Sequence, residues 1–182
     1  YYNEKYHYKV GGQIQNTFNF TYYDTLSLPQ QEAGLYAVSL LYGGFDIKYK
    51  SLMIENFLFL QNQNKQLLNL PTAFTKNSIS YYGYLFKENM LVKAGLDFRY
   101  IVNDFLPQYN PVIGQFYLNT SEKSTRYPLV DARISFKVSS FTTFAKYENL
   151  TTLLNNNIQR MVLNHPQFDA SFRFGILWNL WN

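Results

Sequence analysis

Apolar and polar residues alternate one for one along three stretches of this chain, and no other feature limits its fold as tightly. Successive side chains of a strand point to opposite faces, so strict alternation describes a two-faced strand and not a helix. In LVKAGLDFRY, residues 91–100, Val92, Ala94, Leu96, Phe98 and Tyr100 share one face, and Lys93, Gly95, Asp97 and Arg99 the other. In LVDARISFKVS, residues 129–139, Val130, Ala132, Ile134, Phe136 and Val138 stand against Asp131, Arg133, Ser135 and Lys137. In the closing DASFRFGILWNLWN, residues 169–182, Ala170, Phe172, Phe174, Ile176, Trp178 and Leu180 oppose Asp169, Ser171, Arg173, Gly175 and Asn179.

Weaker alternation over 13–23, 33–42, 45–60, 77–86 and 141–149 brings the expectation to about eight strands, with a phase slip near Ser51 read as a bulge. The connections alternate in length. Residues 24–32, 61–75, 102–128 and 151–168 are long, whereas Gly43-Gly44, 87–89 and Ser139-Ser140 are short. Tight periplasmic turns and large external loops join the strands of a transmembrane barrel in this rhythm, which places the C-terminus on the periplasmic side. The strand-like segment 113–118 must then lie within a loop, folded inward or extending a hairpin.

A single alternating segment fits equally well an ordinary sheet with one face on a core and one in water. Eight together point to a barrel, and a soluble lipocalin-like carrier with its apolar row inside stays open as an alternative. Aromatics at strand ends favour the membrane reading: Phe20, Tyr22, Tyr23, Tyr81, Tyr82, Tyr84, Tyr100, Trp178 and Trp181 are candidate interface anchors. Aromatic residues make up 19% of the chain and charged residues only 15%, an imbalance unlike that of a water-exposed surface. The 182 residues suffice for one domain, 1–182, and no run of about 18 apolar residues offers a membrane-spanning helix. The chain opens on Tyr1-Tyr2-Asn3-Glu4 with neither a basic n-region nor an apolar h-region, so an export signal is expected to have been removed or to lie upstream.

The charged rows supply the candidate pore lining: Asp46, Lys48, Lys50, Lys93, Asp97, Arg99, Asp131, Arg133, Lys137, Lys146, Glu148, Asp169 and Arg173. Bases exceed acids, which predicts a weak anion preference; a bland alternative is that opposite charges pair across neighbouring strands and hold register. The net charge of +4 is dispersed, without the basic stripe that nucleic acid requires. With no cysteine there are no disulfides or thiolate sites. The two histidines, His7 and His165, belong to no catalytic motif, and no metal spacing or phosphate loop occurs. No enzyme activity, metal or cofactor is expected. Three N-x-S/T triplets, at Asn19, Asn119 and Asn149, are disregarded as chance matches.

Residues 111–151, PVIGQFYLNTSEKSTRYPLVDARISFKVSSFTTFAKYENLT, resemble the putative-porin family of the Bacteroidota outer membrane. The marks are Asn110-Pro111 with Gly114-Gln115-Phe116-Tyr117, then Tyr127-Pro128, Lys146-Tyr147-Glu148, and the closing Phe172-Arg173-Phe174-Gly175. They cover the C-terminal third, while the earlier segments agree in style. The resemblance implies an outer-membrane barrel through which small polar solutes diffuse, in a family whose members are longer. This chain is therefore expected to be the C-terminal part of a larger barrel. The final aromatic strand resembles the signal read by the barrel-assembly machinery, with Asn182 following Trp181. A second possibility is a structural or secretion-complex barrel that binds partner outer-membrane proteins through loops 102–128 and 151–168.

Overall fold

A computed structural model describes residues 2–3, 7–124, 128–154 and 160–180. The elements in chain order are β1 (Tyr2–Asn3), β2 (Tyr8–Tyr23), β3 (Pro29–Tyr49), β4 (Leu52–Gln63), β5 (Ala73–Leu85), β6 (Met90–Val102), β7 (Gln108–Asn110), β8 (Gln115–Tyr117), β9 (Leu129–Val138), β10 (Phe141–Glu148), the one-turn helix α1 (Thr151–Leu154), β11 (Arg160–Val162), β12 (His165–Pro166) and β13 (Ser171–Trp178). One antiparallel sheet takes β1, the eight long strands β2 to β6, β9, β10 and β13 in chain order; β7–β8 and β11–β12 are separate hairpins. The fold is all-β, and among the described residues the sheet is open: no strand pairs with the outer edge of β13, and β1 is the strand that pairs with the outer edge of β2.

Eight long strands match the number expected, but the first turn lies elsewhere. Gly43 and Gly44 sit inside β3, and the chain reverses at residues 50–51, where Tyr49 pairs with Leu52 and Lys50 takes a left-handed φ of 52°. The slip at Ser51 is thus a hairpin and not a bulge. Two glycines invite a turn reading. Here Gly44 instead leaves space against a neighbouring strand, because a Cβ there would come 2.7 Å from the Asn56 carbonyl oxygen. Moving the turn leaves the rhythm intact. Connections 24–28, 64–72, 103–128 and 149–170 lie at one end of the sheet, and the tight ones, 50–51, 86–89 and 139–140, at the other.

Strand 113–118 is likewise resolved. Gln115–Tyr117 pairs with Gln108–Asn110 as a hairpin outside the main sheet, so the parity of the long strands survives. In the 24–28 connection the Asp24 carboxylate accepts the amides of Leu28 and Leu26 and the side chain of Gln30. Those hydrogen bonds, the Leu28 amide foremost, hold its pKa below the ordinary aspartate value.

β6 and β5 approach each other most closely at Gly95, where a Cβ would meet the Ile79 carbonyl oxygen at 2.7 Å and the Ser80 Cβ at 2.8 Å. Backbone cannot swing aside as a flexible side chain can. Gly95→Ala is expected to destabilise the sheet by about 1–3 kcal/mol, measured as a lower urea midpoint for refolding into detergent micelles; an unchanged midpoint would contradict the close approach.

Candidate functional site

Cross-strand register sorts every strand residue onto one of two faces. One face has the row Ile47, Ile54, Ile79, Leu96, Ala132, Tyr147 and Phe172, and beside it the row Tyr49, Leu52, Tyr81, Ala94, Ile134, Ala145 and Phe174. These side chains are widely exposed, Phe174 at 74% and Ile79 at 55%. Every charged residue of the eight long strands lies on the other face. That face is concave: a hollow of about 750 Å³ is lined from Lys9 on β2, through Asp46, Lys76, Lys93 and Arg133, to Lys146 on β10.

The charges are ordered in rows. Asp46, Glu55, Ser78, Asp97 and Asp131 stand directly opposite one another from strand to strand, and the same register puts Glu148 next, beside Ser171. One row toward the tight turns are Lys48, Arg133, Lys146 and Arg173; one row toward the long connections are Lys9, Lys76 and Arg99. Directly opposed neighbours therefore carry like charge, which by itself destabilises a sheet. Compensation runs along diagonals. Arg133 Nε reaches Asp97 at 3.0 Å, and its Nη2 donates to Ser78 at 2.8 Å. Arg99 and Lys146 meet Asp131 at 2.8 and 3.0 Å, and Lys146 and Arg173 meet Glu148 at 3.0 and 2.8 Å. Opposite charges thus pair across neighbouring strands, along diagonals, as a carboxylate row held between two cationic rows.

Asp131 is the junction of this network. Only 1% exposed, it also accepts the Asn149 amide at 3.0 Å, tying the last long connection to the trough. Ser80, on β5, is equally buried, and its hydroxyl has no hydrogen-bond partner among the described residues.

Of the candidate lining residues, Asp46, Lys48, Lys93, Asp97, Arg99, Asp131, Arg133, Lys137, Lys146, Glu148 and Arg173 all fall on the concave face. Lys50 does not, since the hairpin turn carries it off the strand and its ammonium lies 5.5 Å over the Tyr49 ring. Asp169 precedes β13 and sits exposed in the connection. Sequence reading missed Lys9, Glu55 and Lys76, whose strands lack clean alternation; the register of their neighbours assigns them.

Among the aromatics, Tyr81, Tyr100 and Trp178 lie on the apolar face, Tyr81 and Trp178 toward the tight turns and Tyr100 toward the long connections. Phe20 and Tyr22 do not. A bulge at Asn19, with φ of 54°, shifts the phase, so Phe20 turns to the polar side and stacks on the buried Tyr36 at 4.5 Å, and Tyr22 follows it. Trp181 lies outside the described residues.

The long connections roof one end of the trough. Asn69 and Asn119 exchange two hydrogen bonds, 2.8 and 2.7 Å, the buried Asn119 amide donates to the carbonyls of Leu106 and Glu122, and the Leu118 amide reaches the Tyr23 carbonyl at 3.1 Å. His165 belongs to this roof, its Nδ1 2.9 Å from the Leu163 carbonyl oxygen and its ring edge-on to Tyr109.

A family model described as putative porin matches residues 1–182, extending over the whole chain a likeness that the sequence motifs place in the C-terminal third. No curated protein and no solved structure matches. Removing the Asp131 carboxylate strips Arg99 of its carboxylate partner and leaves Lys146 with Glu148 alone. Asp131→Ala is expected to cost about 2 kcal/mol, a figure kept low because both cations are partly exposed. Denaturant titration in micelles measures it, and a loss no larger than that of Lys137→Ala would remove Asp131 from its central place.

Proposed function

The chain belongs to the putative porin family, and from that premise we propose that its sheet forms part of the wall of an outer-membrane β-barrel through which small polar solutes diffuse passively. The observation behind this reading is the complete confinement of charge to the concave face, with apolar side chains exposed on the opposite one. In water so large an apolar face would drive association. Against hydrocarbon it is the expected outer surface, with a polar lumen within. A lipocalin-like carrier needs the reverse arrangement, apolar side chains inside the curve and charges outside.

Two features favour a barrel larger than these eight strands. An eight-stranded barrel closed on itself is just filled by its side chains, whereas this polar face leaves a hollow of about 750 Å³. The backbone groups along the outer edge of β13 and along the outer edge of β2 past Val10 have no strand partner among the described residues. In hydrocarbon each unpaired group costs several kcal/mol, so further strands pair there. We propose no catalytic step and no cofactor. The scaffold alternative, in which the roofing connections bind partner proteins, has no observation in its favour comparable to the charge rows.

Conduction is tested in planar bilayers: the protein should carry an ohmic current, and under a salt gradient the reversal potential should show a weak anion preference from the surplus of bases. Cation preference would count against the assigned lining. The assignment of faces is tested separately. Ile79→Lys, on the apolar face, should cost about 2–4 kcal/mol in vesicle folding assays and Ser135→Lys, on the concave face, less than about 1 kcal/mol. Equal costs, or a monomer stable in detergent-free buffer, would overturn the membrane reading.

A further inference from the structure

Of the acids of the trough, Glu55, Asp97, Asp131 and Glu148 are engaged by Arg133, Arg99, Lys146 and Arg173, but several lysines of the face take no part in these pairs. Lys9 extends past Gly44 to lie 5.0 Å over the Phe57 ring, and Phe57 stands directly opposite Lys76 on β5. On the other side of the carboxylate row, Lys48 lies 5.4 Å over the Tyr82 ring, and Tyr82 stands directly opposite Lys93 on β6. The same grouping of lysine, aromatic ring and lysine thus occurs twice. None of the four ammonium groups has a carboxylate partner among the described residues.

A ring under one ammonium keeps that lysine from folding across to the carboxylate row, since the quadrupole of the ring competes for it. The second lysine, opposite the ring, leaves two cationic donors flanking one flat surface. Lys93 and Lys76 are three rows apart along the strands, about 20 Å at the rise of a strand. The carboxylates between them repel an anion from the middle of that path. Two attractive stations separated by a barrier are what transit of a small anion needs: each holds the ion firmly enough to draw it in and weakly enough to release it.

We infer that Lys9, Phe57 and Lys76 form one binding station for small multivalent oxyanions, phosphate or carboxylate in chemistry, and that Lys48, Tyr82 and Lys93 form a second. The inference rests on the conduit reading for its role in transit, while binding itself does not.

Pyrophosphate is the probe. It should reduce the chloride current of the wild-type protein saturably, and either double substitution, Lys9→Gln with Lys76→Gln or Lys48→Gln with Lys93→Gln, should raise the half-blocking concentration about tenfold, the equivalent of one charge-assisted hydrogen bond. Lys137→Gln, a lysine of the same face outside both stations, should leave it unchanged. Equal weakening by Lys137→Gln, or no saturable block, would replace the stations with a diffuse positive field. Isothermal titration of pyrophosphate into the micelle-held protein reads the same variants without any current. Site-dependent binding in a protein that does not conduct would overturn the conduit alone; current without binding would overturn the stations alone.

Discussion

Everything in this sheet depends on the antiparallel register that puts all its charge on one face. A strand with period-two alternation has no preference for what its two faces meet, and a slip of one residue would turn every lysine and aspartate outward. The hairpins at 50–51, 86–89 and 139–140 prevent that slip, pairing Tyr49 with Leu52, Leu85 with Met90 and Val138 with Phe141. Register also decides the electrostatics. The same acid-x-base spacing in Asp46 to Lys48, Asp131 to Arg133 and, reversed, Glu148 to Lys146 becomes two parallel rows because antiparallel strands read the spacing in opposite directions.

Rows of like charge would be a liability without their diagonals. Arg133 can bridge because its planar fork offers several donors in fixed directions, so one side chain contacts Asp97 and Ser78 and approaches Glu55 at 3.9 Å. Asp131 is the acidic counterpart, buried under Arg99, Lys146 and the Asn149 amide. Gly95, directly opposite Arg133, carries no side chain, which leaves the guanidinium space to cross β6 and reach Ser78 on β5.

The strands 90–102 and 129–138, with the last one, were legible in the sequence because each has unbroken alternation and a short apolar row, whereas 141–148 alternates less cleanly because Phe144 falls in its polar row. The N-terminal half was legible in number but not in boundary. β2 and β3 run well beyond the span of about 9–11 residues that a bilayer needs. Their upper parts pack against the roof at Tyr36 and Phe20 and follow its demands, so their pattern mixes two environments. Phe20 shows the cost of reading locally: an aromatic at a strand end looks like an interface anchor, and only the left-handed backbone of Asn19, at the register shift, turns it inward. Lys50 and Asp169 show the reverse case, in which a charge in phase with its neighbours leaves the face because β3 ends at Tyr49 and β13 begins only at Ser171. The charge rows themselves were not legible. Each is assembled from strands far apart in the chain, and their alignment exists only once every turn is placed.

Under the conduit proposed above, the contrast between guanidinium and ammonium lets one trough be both cohesive and permeable. Arginine forks and the buried aspartate hold the carboxylate row in fixed geometry, so it acts as structure. The lysines at the rings have compact charges on flexible stems and no geometric lock, so they can follow a passing ion and let it go. Were the assignments exchanged, with arginine at Lys9 and Lys48 and lysine at position 133, bidentate grips would trap the anion and the carboxylate row would lose its bridge to Ser78. Residue type, and not net charge alone, therefore separates the part of this face that holds the strands together from the part that the proposed stations assign to a solute.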